Sequence, residues 1–272
     1  MGDWTPPDKR FSELPRRLLT ALVLIPFALF AVWMGSWWLA LGCSAFCAVM
    51  LLEWCRMSAT PNGALLAVIA ALFGLGLGTG DERIGAGLLA AAAVLAVFSA
   101  QRTAEARLSA GFGVVYVFAM VFGLYVLREG PWEGRLAAMY FMSFVWASDA
   151  AAYFFGRMFR GPRLLPKESP NKTWSGAIAG VIATALCGYV AASWQDADKL
   201  PWMVAGVLIS MGAQAGDLFE SGLKRRFKVK DSGTILPGHG GLLDRVDGLG
   251  AVSLLSTLTF LSVPSLPRLL GL

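Results

Sequence analysis

Long apolar runs constrain this chain more than anything else in it. Segments 18–34, 37–54, 64–79, 84–99, 111–127, 136–155, 174–193, 201–220 and 248–266 are each dominated by apolar residues. A helix needs about 17–25 such residues to cross a bilayer. Inside hydrocarbon a backbone must satisfy its own N–H and C=O groups, which leaves the helix as the form for runs of this length. Only 15% of the residues are charged, against about 25% in an average soluble domain. The expected fold is all-α: a polytopic integral membrane helical bundle of about nine transmembrane helices. A short segment, 1–17, precedes a single integral unit, 18–272.

Charge placement orients the bundle. If residues 1–17 are cytoplasmic, the inner segments are 1–17, 55–63, 100–110, 156–173 and 221–247, and they hold 18 of the 23 Lys and Arg. Cytoplasmic loops carry such an excess. The net charge of +5 therefore reads as orientation and lipid contact, and nucleic acid is not an expected partner. The run 18–34 reads as an uncleaved first span, because "GSWW" follows it where a signal peptide would show small residues. Cys43, Cys47, Cys55 and Cys187 all fall in or beside apolar runs. They read as buried small hydrophobes, not as metal ligands or a disulfide.

Against this background four polar groups stand out, all at the cytoplasmic ends of the last four spans. Ionisable residues inside spans are costly, so each marks a functional hypothesis. Asp149, in "FVWASDAAAYFFGR", shares a four-residue spacing with Tyr153 and Arg157, and hence a helical stripe. Asp217, Glu220, Ser221 and Lys224 also fall on one helical face. Two carboxylates there suit a hard cation such as Mg²⁺, which takes one or two protein oxygens and completes its shell with phosphate and water. "GHGGLLDRVDG" places glycines and His239 before Asp244, Arg245 and Asp247. Glycine-rich backbone can approach phosphate oxygens and offer them N–H donors. "LLPKESPNKTWSG" carries Lys167 and Lys172 ahead of Thr173, a candidate cap for a helix beginning at Trp174. Together these groups predict one site at the inner interface, for a phosphorylated substrate and Mg²⁺. No GxxxxGK[ST], HExxH, GxSxG or CxxC motif is present, so the loops themselves would hold any nucleotide.

The stretch "SGLKRRFKVKDSGTILPGHGGLLDRVD", Ser221 to Asp247, resembles the signature of the phosphatidate cytidylyltransferases, or CDP-diacylglycerol synthases. Ser221, Lys224, Arg225, Lys230, Asp231, His239, Gly240, Gly241, Asp244, Arg245 and Asp247 all stand where that pattern has them. "SDAAAYFFGR" and "SPNKTWSG" look like further segments of the family, although Ala150 and Ala151 stand where it often reads "DTGAY". The resemblance implies transfer of a cytidylyl group from CTP to phosphatidate, releasing pyrophosphate. It also implies Mg²⁺, a second cation such as K⁺, a homodimer and an inner-membrane location. The aspartates matching Asp217 and Asp244 would hold the metal. Lys224, Arg225, Lys230 and Arg245 would act on the developing charge, with His239 donating to phosphate. Asp149, Lys167, Lys172, Ser221, Asp231, Gly240, Gly241 and Asp247 would complete the substrate site. Three other readings remain open: a related enzyme for another lipid phosphate, a cation-coupled transporter using Asp149 and Asp217, and an assembly protein that binds anionic lipid.

Overall fold

The computed structural model describes residues 22–100, 103–235 and 240–272. Each expected span overlaps a helix among the described residues, while the segment 1–17 and the start of the first span, 18–21, lie outside them. In chain order the helices are α1 (Leu22–Met34), α2 (Ser36–Met57), α3 (Gly63–Leu77), α4 (Glu82–Ser99), α5 (Ala104–Glu129) and α6 (Gly134–Phe159). There follow α7 (Trp174–Trp194), α8 (Lys199–Arg226), α9 (Leu243–Ser262) and a short α10 (Ser265–Leu269). By length and composition, α2, α5, α7 and α8 can cross a membrane. The apolar helices α1, α3 and α4 are shorter. α6 and α9 are long, with 26 and 20 residues, but carry ionisable side chains.

One departure from an all-helical chain lies between α6 and α7. Residues Arg163–Leu165 (β1) and Ser169–Thr173 (β2) pair antiparallel, with Arg163 opposite Thr173 and Leu165 opposite Ser169. Pro162, Pro166 and Pro170 each lack an N–H and bar a helix here. A hairpin is what the segment can still form. It ends where Thr173 caps α7, its hydroxyl accepting from the Gly176 N–H at 3.2 Å. This is the cap that the sequence pattern implies.

Helix α9 packs on α5, α6 and α8; α2 packs on α3, and α7 packs on both α6 and α8. Small residues allow the close approaches. A Cβ on Gly123 of α5 would lie 2.6 Å from the Leu254 backbone of α9. One on Gly206 of α8 would lie 2.3 Å from the Thr184 carbonyl oxygen of α7. In lipid there is no hydrophobic drive between helices, so tight backbone packing of this kind holds the bundle together.

The outer surface is apolar. Along α7, Ile178, Ile182, Leu186 and Val190 recur every four residues and are all exposed. On a soluble protein such a stripe would be an interaction patch; on a membrane helix it faces acyl chains. The four cysteines are free, with Cys43, Cys47 and Cys55 buried and Cys187 partly so.

Gly206→Leu drives a side chain into the Thr184 backbone. Overpacking of this kind costs about 1–3 kcal/mol, and thermal unfolding of the purified protein in detergent will show a melting temperature several degrees lower.

Candidate active site

The polar groups of α6, α8, α9 and the hairpin converge at one end of the bundle. Lys224, near the end of α8, is their hub. Its ammonium donates to Asp244 Oδ1 at 2.6 Å and to Glu220 Oε1 at 3.2 Å. Glu220 is fully buried, and its second oxygen has no hydrogen-bond partner among the described residues. The i, i+4 spacing on α8 brings Glu220 and Lys224 together. The start of α9 delivers Asp244 to the same ammonium.

Asp244 is almost wholly occupied as an acceptor. Oδ2 takes the Ser232 and Gly241 N–H groups, each at 2.9 Å, in addition to the Lys224 contact on Oδ1. Asp244 lies ahead of the apolar stretch of α9. Burial pushes its carboxyl up, but Lys224 and the two backbone donors outweigh it and hold the group below its ordinary value. Gly240 adopts φ +83°, and a Cβ there would stand 2.9 Å from Asp244 Oδ2. A glycine is therefore required twice over, by backbone angle and by space.

Asp217 has a different environment. Lys172, on β2, forms an ion pair with it, and the Ser221 hydroxyl lies 3.4 Å from its other oxygen. Its side chain is 34% exposed. Asp149 of α6 and Asp247 of α9 both lie within electrostatic reach of it. Asp149 also feels Lys172 and Arg245. Burial and the neighbouring Asp217 push Asp247 up to about 7, although its Oδ1 accepts from the Gly248 N–H at 2.7 Å.

The donor set around Asp217 fits a hard cation. It offers carboxylate and hydroxyl oxygens on three helices, and the Lys172 ammonium already occupies the position of a positive charge. No three described acidic, histidine or cysteine side chains stand close enough to enclose a metal. An ion here would complete its shell with phosphate and water. Asp244 is less open to an ion, because Lys224 and backbone N–H groups already take its oxygens.

The remaining sequence-predicted residues divide by environment. Arg225 donates to the backbone carbonyls of Glu168 at 3.3 Å and Val229 at 3.1 Å, tying the hairpin to the basic loop. Lys167, Lys230 and Asp231 are exposed around it. Arg157 donates to the Tyr153 hydroxyl and stacks over its ring at 5.1 Å. All three members of that stripe are exposed, and Asp149 lies within electrostatic reach of Asp217 on α8 and Lys172 on the hairpin. His239 lies outside the described residues.

One residue at the site was missed in the sequence. Glu53, near the end of α2, is fully buried. It accepts from the Leu242 and Leu243 N–H groups, each at 2.9 Å, and from the Ser232 hydroxyl at 3.3 Å. Its signal was available, as a lone acid near the end of an apolar span. Nothing in the local sequence showed that it would meet a loop about 190 residues later.

The sequence is also similar to known proteins. The model of the cytidylyltransferase family matches residues 15–263. The phosphatidate cytidylyltransferase of Brucella suis biovar 1 (strain 1330) is 37% identical over 254 residues, which is 90% of this chain and 92% of that protein. The protein of the same name from Brucella abortus (strain 2308) is equally similar over the same extent. That of Staphylococcus aureus (strain COL) is 40% identical over 142 residues, 52% of this chain and 55% of its own length.

Lys224→Met leaves Glu220 and Asp244 facing each other without their shared cation. Breaking a buried ion pair from one side costs about 3–5 kcal/mol. The variant will unfold at a markedly lower temperature in detergent, and Glu220→Gln added to it will recover part of the loss.

Proposed function

Because the chain belongs to the cytidylyltransferase family, we propose that it transfers a cytidylyl group from CTP to phosphatidate, giving CDP-diacylglycerol and pyrophosphate for phospholipid synthesis. The observation that carries this reading is the convergence of cations, carboxylates and a glycine-rich loop at one end of an apolar bundle. A lipid phosphate can reach that end with its acyl chains still in the membrane, while CTP arrives from water.

The chemistry asks little of a base. A phosphate monoester loses its second proton near pH 6, so the phosphatidate oxygen is already an anion near neutral pH. It attacks the α-phosphorus of CTP. A new P–O bond forms as the bond to the β-phosphate oxygen breaks, and pyrophosphate leaves with the electron pair. The obstacle is charge, because two anions must meet. Lys167, Lys172, Lys230 and Arg245 supply positive charge around the approach. Preorganised donors of this kind are each worth about 10²–10³ in rate. Lys224 keeps Glu220 and Asp244 together under the loop, and Arg225 fixes the hairpin beside it. The N–H groups of Gly241, Leu242 and Leu243 are taken by Asp244 and Glu53, so these amides hold the shape of the loop.

We assign Mg²⁺ as the cofactor. Asp217 would hold it, with Asp149 and Asp247 adding negative potential, and Asp244 would take part by exchanging its Lys224 contact. Bound there, the ion would neutralise the phosphoryl oxygens and orient the attack. A second cation such as K⁺ belongs to the same proposal, as does assembly into a homodimer. The excess of Lys and Arg in alternate segments favours an inner-membrane protein with its N-terminus and this site in the cytoplasm.

Purified protein in mixed micelles with phosphatidate and radiolabelled CTP tests the reading. Labelled lipid and free pyrophosphate are expected with Mg²⁺ and not with EDTA. Asp217→Ala should lower turnover at least about 10²-fold while the protein keeps its elution profile. Labelled product from a different lipid phosphate alone would change the assigned acceptor, and absence of product with every acceptor would refute the reading.

A further inference from the structure

The sequence signature ends the chain's polar story at α8, the loop and α9. The structure adds a carboxylate from the other half of the molecule. Glu53 belongs to α2, and its three donors bracket the loop. The Ser232 hydroxyl comes from the loop's beginning, and the Leu242 and Leu243 N–H groups come from its end. All three contacts place Glu53 as an acceptor, the role of a carboxylate. A buried acid without such donors would be costly. Here it satisfies two N–H groups at the start of α9 that no helical carbonyl can reach.

The loop is shaped to this carboxylate. A Cβ on Gly233 would lie 2.7 Å from Glu53 Oε1, and one on Gly241 would lie 2.8 Å from both of its oxygens. Side chains are excluded on both sides of it. Trp54, the next residue, fixes α2 in place. Its indole N–H donates to the Ser109 carbonyl at 3.2 Å, and its ring meets Phe227, just past α8, edge-on at 5.5 Å. The end of α2 is thereby locked to α5 and to the entrance of the basic loop.

Ser232 connects Glu53 to the site. Its hydroxyl donates to Glu53 while its N–H donates to Asp244 at 2.9 Å. Leu243 immediately precedes Asp244. Glu53 therefore holds the two backbone points that decide where Asp244 sits, and Asp244 in turn holds Lys224.

We propose that Glu53 is a positioning residue for cytidylyl transfer, anchoring the two ends of the glycine-rich loop so that Asp244 and Lys224 keep their reactive placement. The proposal rests on the function given above. It assigns Glu53 no contact with either substrate, so its loss acts on turnover more than on substrate binding.

Glu53→Gln keeps the size of the side chain but sets an N–H₂ donor against a backbone N–H. Displacing catalytic groups by a fraction of an ångström to an ångström costs up to about 10²-fold. The expected result is kcat lowered about tenfold or more, with KM for CTP within about threefold of wild type. Backbone amides of Leu242 and Leu243 should also exchange hydrogen faster in the variant without substrate. Glu53→Asp, which retains the acceptor, should recover part of kcat. A kcat per folded molecule equal to wild type would overturn the proposal, as would unchanged exchange at Leu242 and Leu243. If Glu53→Gln fails to fold, Ser232→Ala removes one donor and spares the carboxylate, and the same two measurements decide. Wild-type protein that makes no CDP-diacylglycerol would count against the function, while the exchange measurement would still report on the anchor.

Discussion

Backbone N–H groups buried at the ends of a loop must find acceptors. That requirement organises the polar end of this protein. Leu242 and Leu243 donate to Glu53, Gly241 donates to Asp244, and Ser232 divides its hydroxyl and N–H between the two. Two carboxylates from opposite halves of the chain thus close one loop. The glycines follow from this, because side chains at Gly233, Gly240 or Gly241 would occupy the space that the carboxylates fill.

The same carboxylates impose the arrangement of cations. Glu220 and Asp244 stand together because Lys224 lies between them, and Asp217 is stabilised in its partly exposed position by Lys172. In a low-dielectric surrounding, unpaired charges of this density would not persist. The two lysines differ in setting. Lys224 is buried among its partners, whereas Lys172 sits on a short hairpin at the rim, with its side chain 29% exposed. A structural cation and an exchangeable one are thereby carried by different elements, one by α8 and one by the hairpin. This gives the site a fixed base and an open edge.

Helix α9 links this polar end to the apolar body. Its first two turns carry Asp244, Arg245 and Asp247, and it packs against α5 through Gly123 and against α8 through Gly216. A shift of α9 along its axis would move the carboxylates and the loop together. Close glycine contacts leave little room for such a shift. Packing in the membrane interior therefore sets the geometry at its surface.

Much of this was legible in the sequence. The nine apolar runs mark the helices, because the hydrocarbon permits little else at that length. Thr173 before Trp174 marks the start of α7, and the 27-residue stretch from Ser221 to Asp247 marks the family. Local spacing also placed Glu220 beside Lys224, since four residues on a helix make neighbours. Other features were decided only in three dimensions. Prolines ruled out helix between α6 and α7, but the hairpin and its delivery of Lys172 to Asp217 depend on α8 standing opposite. Tyr153 and Arg157 share a stripe with Asp149 and pair with each other through the same spacing, whereas the approach of Asp217 and Lys172 to Asp149 joins separate elements. Glu53 looked like a stray acid at the end of a span, because its donors lie about 190 residues away. Sequence determines which residues are apolar, helical and charged through short-range chemistry. Which carboxylate meets which cation is settled by how the helices pack, because those contacts join residues that the chain order keeps far apart.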